Sequence, residues 1–408
     1  MAPAYFGCIP ITNPGFAAVS GKTGRQVSRG GQWPALGVGG YTWGMDAILC
    51  LDSALEFYHI SRMADRRPEC VDPAARAVPL DLPRSKVKSL SGHTPTCEDA
   101  RLLARSFGGV RLEGAFAGKN TKGLTLPIHL LVAKNVPRWQ TDDRRQHYAA
   151  EPLPEGSFVR VEPGLLLSSP EHIVLQSASK LDALHLAWLA SELCALYSIH
   201  PTIPGELLPA FPVTSRARLQ AYLANAAEVG AYGAKKALAA MPYVLEGAAS
   251  PRELSLALNM TLPRSMGGYA LPKPLLNCRI DVDKRIRTAY GKDHFTVDAC
   301  WVGQKLVVEY DSDAFHLDPK RRAHDNDRRA MLGEMGYRVL PISSKQQDAL
   351  VLSDNAFRRL GKLLGVKDRS GESRYDWQAR RSALRRTLRE LETRRGGQTR
   401  SDGLEEWR

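Results

Sequence analysis

The stretch GQKLVVEYD, residues 303–311, sets the hardest condition on how this chain folds. Its apolar run predicts a strand. Side chains alternate between the two faces of a strand, so Val307, Glu309 and Asp311 share one face and Leu306, Val308 and Tyr310 the other. Glu309 is thereby committed to a strand that is otherwise largely apolar. HFTVDACW, residues 294–301, poses the same problem, with Asp298 set among Phe295, Val297, Ala299 and Trp301. Burying a carboxylate in such a strand is costly unless it gains a metal, a cation or several hydrogen bonds. AHDNDRRAMLGEMGY reads as a helix and RVLPIS as a third short strand. Residues 292–342 thus run strand, turn, strand, helix, strand, an α/β order with its chemistry at one edge or end of a sheet.

Two arrangements satisfy these carboxylates. In one, paired strands bring Asp298 and Glu309 together around a divalent cation. Carboxylate oxygens suit Mg2+ or Mn2+, and such an ion polarises a phosphodiester and activates water for attack on it. In the other, Asp298 and Glu309 pair with arginines such as Arg287 or Arg328, or lie at exposed strand ends. His316, closing EYDSDAFH, is either a proton shuttle or an ordinary loop histidine. Asp325 and Arg328 lie three apart on one helical face, with Arg321, Arg322 and Arg329 nearby. Either they form a helix-surface ion pair, or Asp325 fixes Arg328 near the sheet while the neighbouring arginines meet phosphates. Lys305 shares the alternating face of Glu309 and is read mainly as a solvated lysine at the strand start. Ser250, Pro251 and Glu253 have the pattern of a capping box opening a helix.

Length enters through domain count: 408 residues at about 150 per domain suggest two or three. Residues 1–44 hold ten glycines, three basic residues and no acidic one, a low-complexity segment after which Met45 reads as an alternative start. A helical stripe through Ile48, Leu51, Ala54, Leu55 and Tyr58 then opens a candidate DNA-binding domain, 45–121. Strands in 123–135 and 157–170 and helices after Pro170 describe an α+β and helical region, 122–249. The α/β unit occupies 250–345, and a basic helical extension, 346–408, carries a sparse stripe of Trp377, Leu384 and Leu388. The net charge of +13 favours anionic partners. The seven scattered cysteines read as reduced thiols, mostly buried, and the lack of a signal-like or membrane-length apolar run gives a cytoplasmic expectation with no membrane partner.

The order of residues from SPRELSLALNMTLP through VEYDSDAFH to DNDRRAMLGEMGYRVL resembles the DUF559 branch of the restriction-endonuclease-like, or PD-(D/E)xK, superfamily, related to very-short-patch repair endonucleases. The pattern falls on Ser250, Pro251 and Glu253, then Asp298, then Glu309, Asp311 and His316, then Asp325, Arg328, Leu332 and Gly336. It covers about a quarter of the chain, and the superfamily's usual lysine is replaced by Asp311. LPIHLLV, GLLLSSPEHIVLQSA and SELCALYS are similar to AbiEi-type antitoxin proteins, with SALEFYHI similar to the early helix of their winged helix. These resemblances imply a restriction-endonuclease-like C-terminal domain, a preceding α+β domain and a winged-helix remnant. They further imply a Mg2+- or Mn2+-dependent DNA endonuclease or phosphodiesterase in defence or mobile-element control, with a toxin-antitoxin or defence-system partner. Glu253, Asp298, Glu309, Asp311 and His316 would be catalytic, with Asp298 and Glu309 on the metal and Asp325 and Arg328 supporting. The alternative is a non-catalytic DNA-binding regulator in which the nuclease fold survives as a scaffold.

Overall fold

The apolar triplet Ala47–Leu49 is a strand, β1, rather than the opening of the expected helix, which starts at Leu51 and runs to Met63 (α1). Ile48 and Leu49 are buried in mid-sheet, and a strand covered on both faces shows no alternation to tell it from a helix. The computed structural model describes residues 47–63, 108–111, 120–122, 124–132, 138, 140–149, 152–162, 165–199, 205–282, 284–291, 293–311, 319–366 and 374–394, all within one unit spanning Tyr41–Arg408. Residues 64–107, which a winged helix in 45–121 would need, lie outside the described residues.

After α1 come a short antiparallel pair, β2 (Gly108–Arg111) and β3 (Asn120–Lys122), then β4 (Ile128–Val132), β5 (Arg144–Tyr148), β6 (Phe158–Glu162) and β7 (Leu165–Ser168). The first large sheet has the order β5-β4-β1-β7-β6, with β1 parallel to β7 and antiparallel to β4. The apolar run after Ser169 breaks into two helices, α2 (Pro170–Ser177) and α3 (Ala183–Leu193), because Asp182 caps the second by accepting from the His185 backbone N–H at 2.9 Å. β8 (Tyr197–Ile199) and β9 (Leu207–Pro209) form a hairpin, followed by α4 (Arg216–Glu228) and α5 (Ala234–Ala240). α5 stops at Ala240, just ahead of Pro242, which lacks a donor. Buried His59 of α1 holds the layers together, reaching Glu192 at 2.9 Å and Ser198 at 3.0 Å.

The second sheet follows α6 (Pro251–Thr261), whose N-cap is Ser250 as the sequence indicates. Its strands are β10 (Leu275–Asp281), β11 (His294–Trp301), β12 (Leu306–Asp311) and β13 (Arg338–Ser343), in the order β10-β11-β12-β13. The first three form an antiparallel meander with α7 (Lys284–Tyr290) between β10 and β11. β13 is parallel to β12, joined by α8 (Pro319–Glu334). Both sheets are open, and the chain is a mixed α/β structure. The alternation read from the sequence holds on β12: Val307 packs with Met331 and Leu332 of α8, whereas Leu306 and Val308 face the opposite core. The described cysteines, Cys50, Cys194, Cys278 and Cys300, are free thiols. No helix among the described residues is long and apolar enough to cross a membrane.

The C-terminal segment does more than extend from the fold. α9 (Ser344–Asp348), α10 (Leu350–Leu363) and α11 (Arg374–Arg394) cover the face of the second sheet opposite α8. Trp377, Leu384, Leu388 and Leu391 of α11 join one core with Leu254 and Leu258 of α6, Val308 of β12, and Trp188 and Tyr197 from before residue 250. Gly267, at φ +89°, lets α11 approach, since a β-carbon there would run into the Arg380 carbonyl. Leu388→Ala is therefore expected to cost about 2–5 kcal/mol in urea unfolding, as a core deletion does. A loss below about 0.5 kcal/mol, typical of a surface position, would contradict this packing.

Candidate functional site

The site begins at a break in the sheet. The β10–β11 register pairs Leu276 with Ala299 and Cys278 with Val297, leaving Asn277 and Asp298 facing each other outside the ladder. Asn277 takes a left-handed conformation, φ 45°, which asparagine tolerates better than most residues. The β11–β12 ladder also ends at Ala299 and Val308, one step short of Asp298. The Asp298 carboxylate fills the gap by accepting from the Tyr310 backbone N–H at 2.6 Å. It is half-buried, and its pKa is pushed up to about 6, first by burial and then by the nearby charge of Glu253, against the opposing pull of the Tyr310 N–H and Arg328.

Glu253 reaches this point from the first turn of α6. Its carboxylate accepts from the Ser250 hydroxyl at 3.1 Å, the Ala249 backbone N–H at 3.0 Å and the Asn277 amide at 2.9 Å. The expected capping box is modified: Ser250 accepts from the Glu253 N–H at 3.1 Å, while the glutamate reaches back one residue past the cap. Glu253 thus has a structural role and still places its charge beside Asp298.

Glu309 is held from the other side of the sheet. Arg328 of α8 donates to it at 3.0 Å and also bonds the Thr296 carbonyl. Arg329 donates to Asp311 at 3.3 Å, so consecutive arginines of one helix engage the two acids of E-x-D. Among the two sequence alternatives, Arg328 realises the cation pairing for Glu309, while Arg287 pairs with Asp293 at 3.0 Å. Asp298 is brought together with Glu253 and Arg328, and Arg328 with Glu309. Among the described residues, no group of three or more His, Cys, Asp or Glu forms a cluster that could hold a metal ion. His316 lies outside the described residues, as do the side chains of Arg321, Arg322 and Asp325. Lys305 is not in the site. It occupies a left-handed turn residue, φ 45°, where strand alternation has not begun, and its ammonium donates to the Met335 carbonyl at 3.0 Å.

Three contributors were not singled out from sequence: Asn277, Tyr310 and Arg252. Arg252 donates to the Tyr310 hydroxyl at 3.2 Å, to Glu392 at 2.8 Å and to Asp348 at 3.1 Å, tying α6, β12, α9 and α11 together. The only sequence signal for Asn277 is a turn-forming residue inside the apolar run LLNCRI.

The oxygen donors are of the type Mg2+ and Mn2+ take, and a carboxylate whose charge is disfavoured beside a second one gains from a divalent cation. Asp298 and Glu309 would hold such an ion, which would supply Lewis acidity toward a phosphodiester; Glu309 is the member already committed to Arg328.

No family model matches the chain, and no solved structure matches it. Over 200 residues, 49% of this chain and 69% of theirs, it is 28% identical to Uncharacterized protein Rv2248 of Mycobacterium tuberculosis H37Rv and to Uncharacterized protein MT2308 of M. tuberculosis CDC 1551 / Oshkosh. Neither name states an activity.

The raised pKa of Asp298 has a sign that can be checked. The folded protein keeps a proton between about pH 4 and pH 6 that the unfolded chain releases, so this contribution falls as pH rises through that window. The cost levels off above pH 6 at on the order of 2 to 3 kcal/mol. Asp298→Asn, which keeps an acceptor for Tyr310, is expected to become progressively more stable than wild type from pH 4 to pH 7 in urea unfolding. Parallel profiles for the two proteins would contradict the assignment.

Proposed function

We propose that the unit built on residues 250–345 is a divalent-metal-dependent phosphodiesterase, an endonuclease acting on DNA. The observation that carries this reading is Asp298, a carboxylate held with its charge disfavoured beside Glu253 where the β10 ladder is interrupted and the β12 ladder ends. The surrounding order supports it: a helix with Ser250-Pro251 and Glu253 at its start, a strand with Asp298, a strand with Glu309 and Asp311, and a helix with Arg328 and Leu332. In this reading Asp298 and Glu309 hold Mg2+ or Mn2+, Glu253 sets the charge of Asp298, and His316 assists proton transfer in place of the absent lysine. A cytoplasmic setting and a partner from a defence or toxin-antitoxin system belong to the same proposal.

A second reading, a non-catalytic DNA-binding regulator of the antitoxin type, is favoured by a different observation. Arg328 already neutralises Glu309 at 3.0 Å, which is how a retained scaffold would satisfy that acid without a metal.

Cleavage of supercoiled, linear, mismatched and single-stranded DNA separates the two. The nuclease reading expects no cleavage in chelator, recovery with Mg2+ or Mn2+, and loss on Glu309→Gln. His316→Ala should slow cleavage by about 100-fold to 10,000-fold while leaving binding intact. DNA binding in chelator with no cleavage of any substrate under any metal would decide for the regulator.

A further inference from the structure

A groove of about 490 Å3 runs between the α9–α10 junction and the C-terminal half of α11, away from the carboxylates. Ser382, Arg385, Arg386, Arg389 and Thr393 line it from α11, and Asp348 borders it. Their spacing places the α11 groups along one side of the helix, with Arg385 and Arg389 one turn apart, about 6 Å along the axis, and Arg386 next to the first of them.

The charges in this groove are under-compensated. Arg385 is 8% exposed, and its partners are the Ser353 hydroxyl at 3.2 Å and the Gln347 carbonyl at 2.7 Å, both neutral. Arg389 donates to the Asp348 backbone carbonyl at 2.8 Å and stands 3.4 Å from the Asp348 carboxylate. That carboxylate is simultaneously taken by Arg252 through both oxygens at 3.1 Å. Asp348 is thus shared between Arg389 and Arg252, which also has Glu392 at 2.8 Å, while a third guanidinium, Arg385, is nearly buried with neutral acceptors. Burial and the neighbouring Arg389 and Arg381 pull the Arg385 pKa down, the direction expected where positive charge is crowded. Glu390, on the groove wall, is the remaining acid of the lining.

Such a groove suits an oxyanion with several acceptor atoms. Its position selects among the anions. Arg252 precedes Glu253 in the chain, binds Asp348 at the groove and binds the hydroxyl of Tyr310, whose backbone N–H is held by Asp298. Arg252 and Tyr310 therefore bridge the groove and the carboxylate site, which places the two close together in one unit, where one polymer can meet both. The hydroxyls of Ser382 and Thr393 donate to carbonyls of their own helix, so the guanidiniums are the donors the groove offers an anion.

We propose that this groove seats successive backbone phosphates of the nucleic acid on which the 250–345 unit acts, with Arg385, Arg386 and Arg389 as the contacts. This rests on the phosphodiesterase reading for the identity of the polymer, but it is tested by binding and needs no cleavage.

The test is fluorescence anisotropy of full-length protein with labelled duplex and single-stranded oligonucleotides, in chelator, over about 50 to 300 mM salt. Arg386 and Arg389 are exposed, so the double variant Arg386→Ala/Arg389→Ala spares the core. Lys235→Ala/Lys236→Ala, also exposed, removes the same charge from α5. The groove variant is expected to lose roughly tenfold or more in affinity at low salt and to flatten the salt slope by about 2, while the α5 variant changes less than about twofold. Equal behaviour of the two variants overturns the proposal. So does a groove variant that binds DNA normally but loses a thermal stabilisation that inorganic phosphate gives the wild type, since the groove would then serve a free anion. Groove-dependent binding without metal-dependent cleavage would leave the groove standing and remove the nuclease; the reverse pattern would do the opposite.

Discussion

A strand that carries a carboxylate must satisfy it locally, and in this protein the second sheet is arranged around that requirement at Asp298. The aspartate sits where β11 skips one pair with β10 and stops pairing with β12, and its oxygen accepts from the Tyr310 backbone N–H beyond the end of that ladder. Asn277 faces it across the break and turns its amide to Glu253 and the Gly247 carbonyl. Tyr310, fixed by its backbone, offers its hydroxyl to Arg252 and Ser344, which draw α6 and α9 onto the same end of the sheet. The residual cost appears as the raised pKa of Asp298, set first by burial and then by the charge of Glu253, with the Tyr310 N–H and Arg328 acting the other way.

Much of this was legible in the sequence where a single physical rule decides the outcome. β11 and β13 occupy 294–301 and 338–343 as expected, short runs with β-branched, aromatic and other apolar residues between turn signals. Ser250 caps α6 as read, and the parity of β12 places Glu309 on the α8 face. Legibility fails where backbone conformation departs from the regular period. Left-handed residues at Asn277 and Lys305 interrupt alternation, so strand parity could not locate the Asn277–Glu253 contact or keep Lys305 on its assumed face. On α11 the stripe of Trp377, Leu384 and Leu388 read from the sequence is the buried face, but the burial of an arginine beside it was not legible. Arg381 is buried, stacks 4.7 Å from the Trp377 ring centre and pairs with Asp354 at 3.2 Å, contacts with distant chain that a charge pattern does not reveal.

The two faces of the second sheet divide the work. On one, α8 supplies Arg328 and Arg329 to the E-x-D acids, neutralising them from a single helix turn. On the other, α6, α10 and α11 close an apolar core and leave an arginine-rich rim beyond it. Asp298 lies between these environments and feels a charge from each. Arg328 is consequently the residue on which the two functional readings diverge: displaced from Glu309 it frees a second oxygen ligand, and retained it completes a scaffold.

The most direct test of this account is calorimetric titration of Mn2+ into the full-length protein at pH 6, in two buffers of different ionisation heat. If Asp298 is a cation ligand whose pKa lies at about 6, each ion bound must displace about half a proton, since metal and proton compete for the same oxygens. Wild type should then bind Mn2+ with buffer-dependent heat that fades by pH 8, and Asp298→Asn should show neither the binding nor the proton release. Absence of Mn2+ binding in wild type, or proton release that is the same in both proteins, would contradict it.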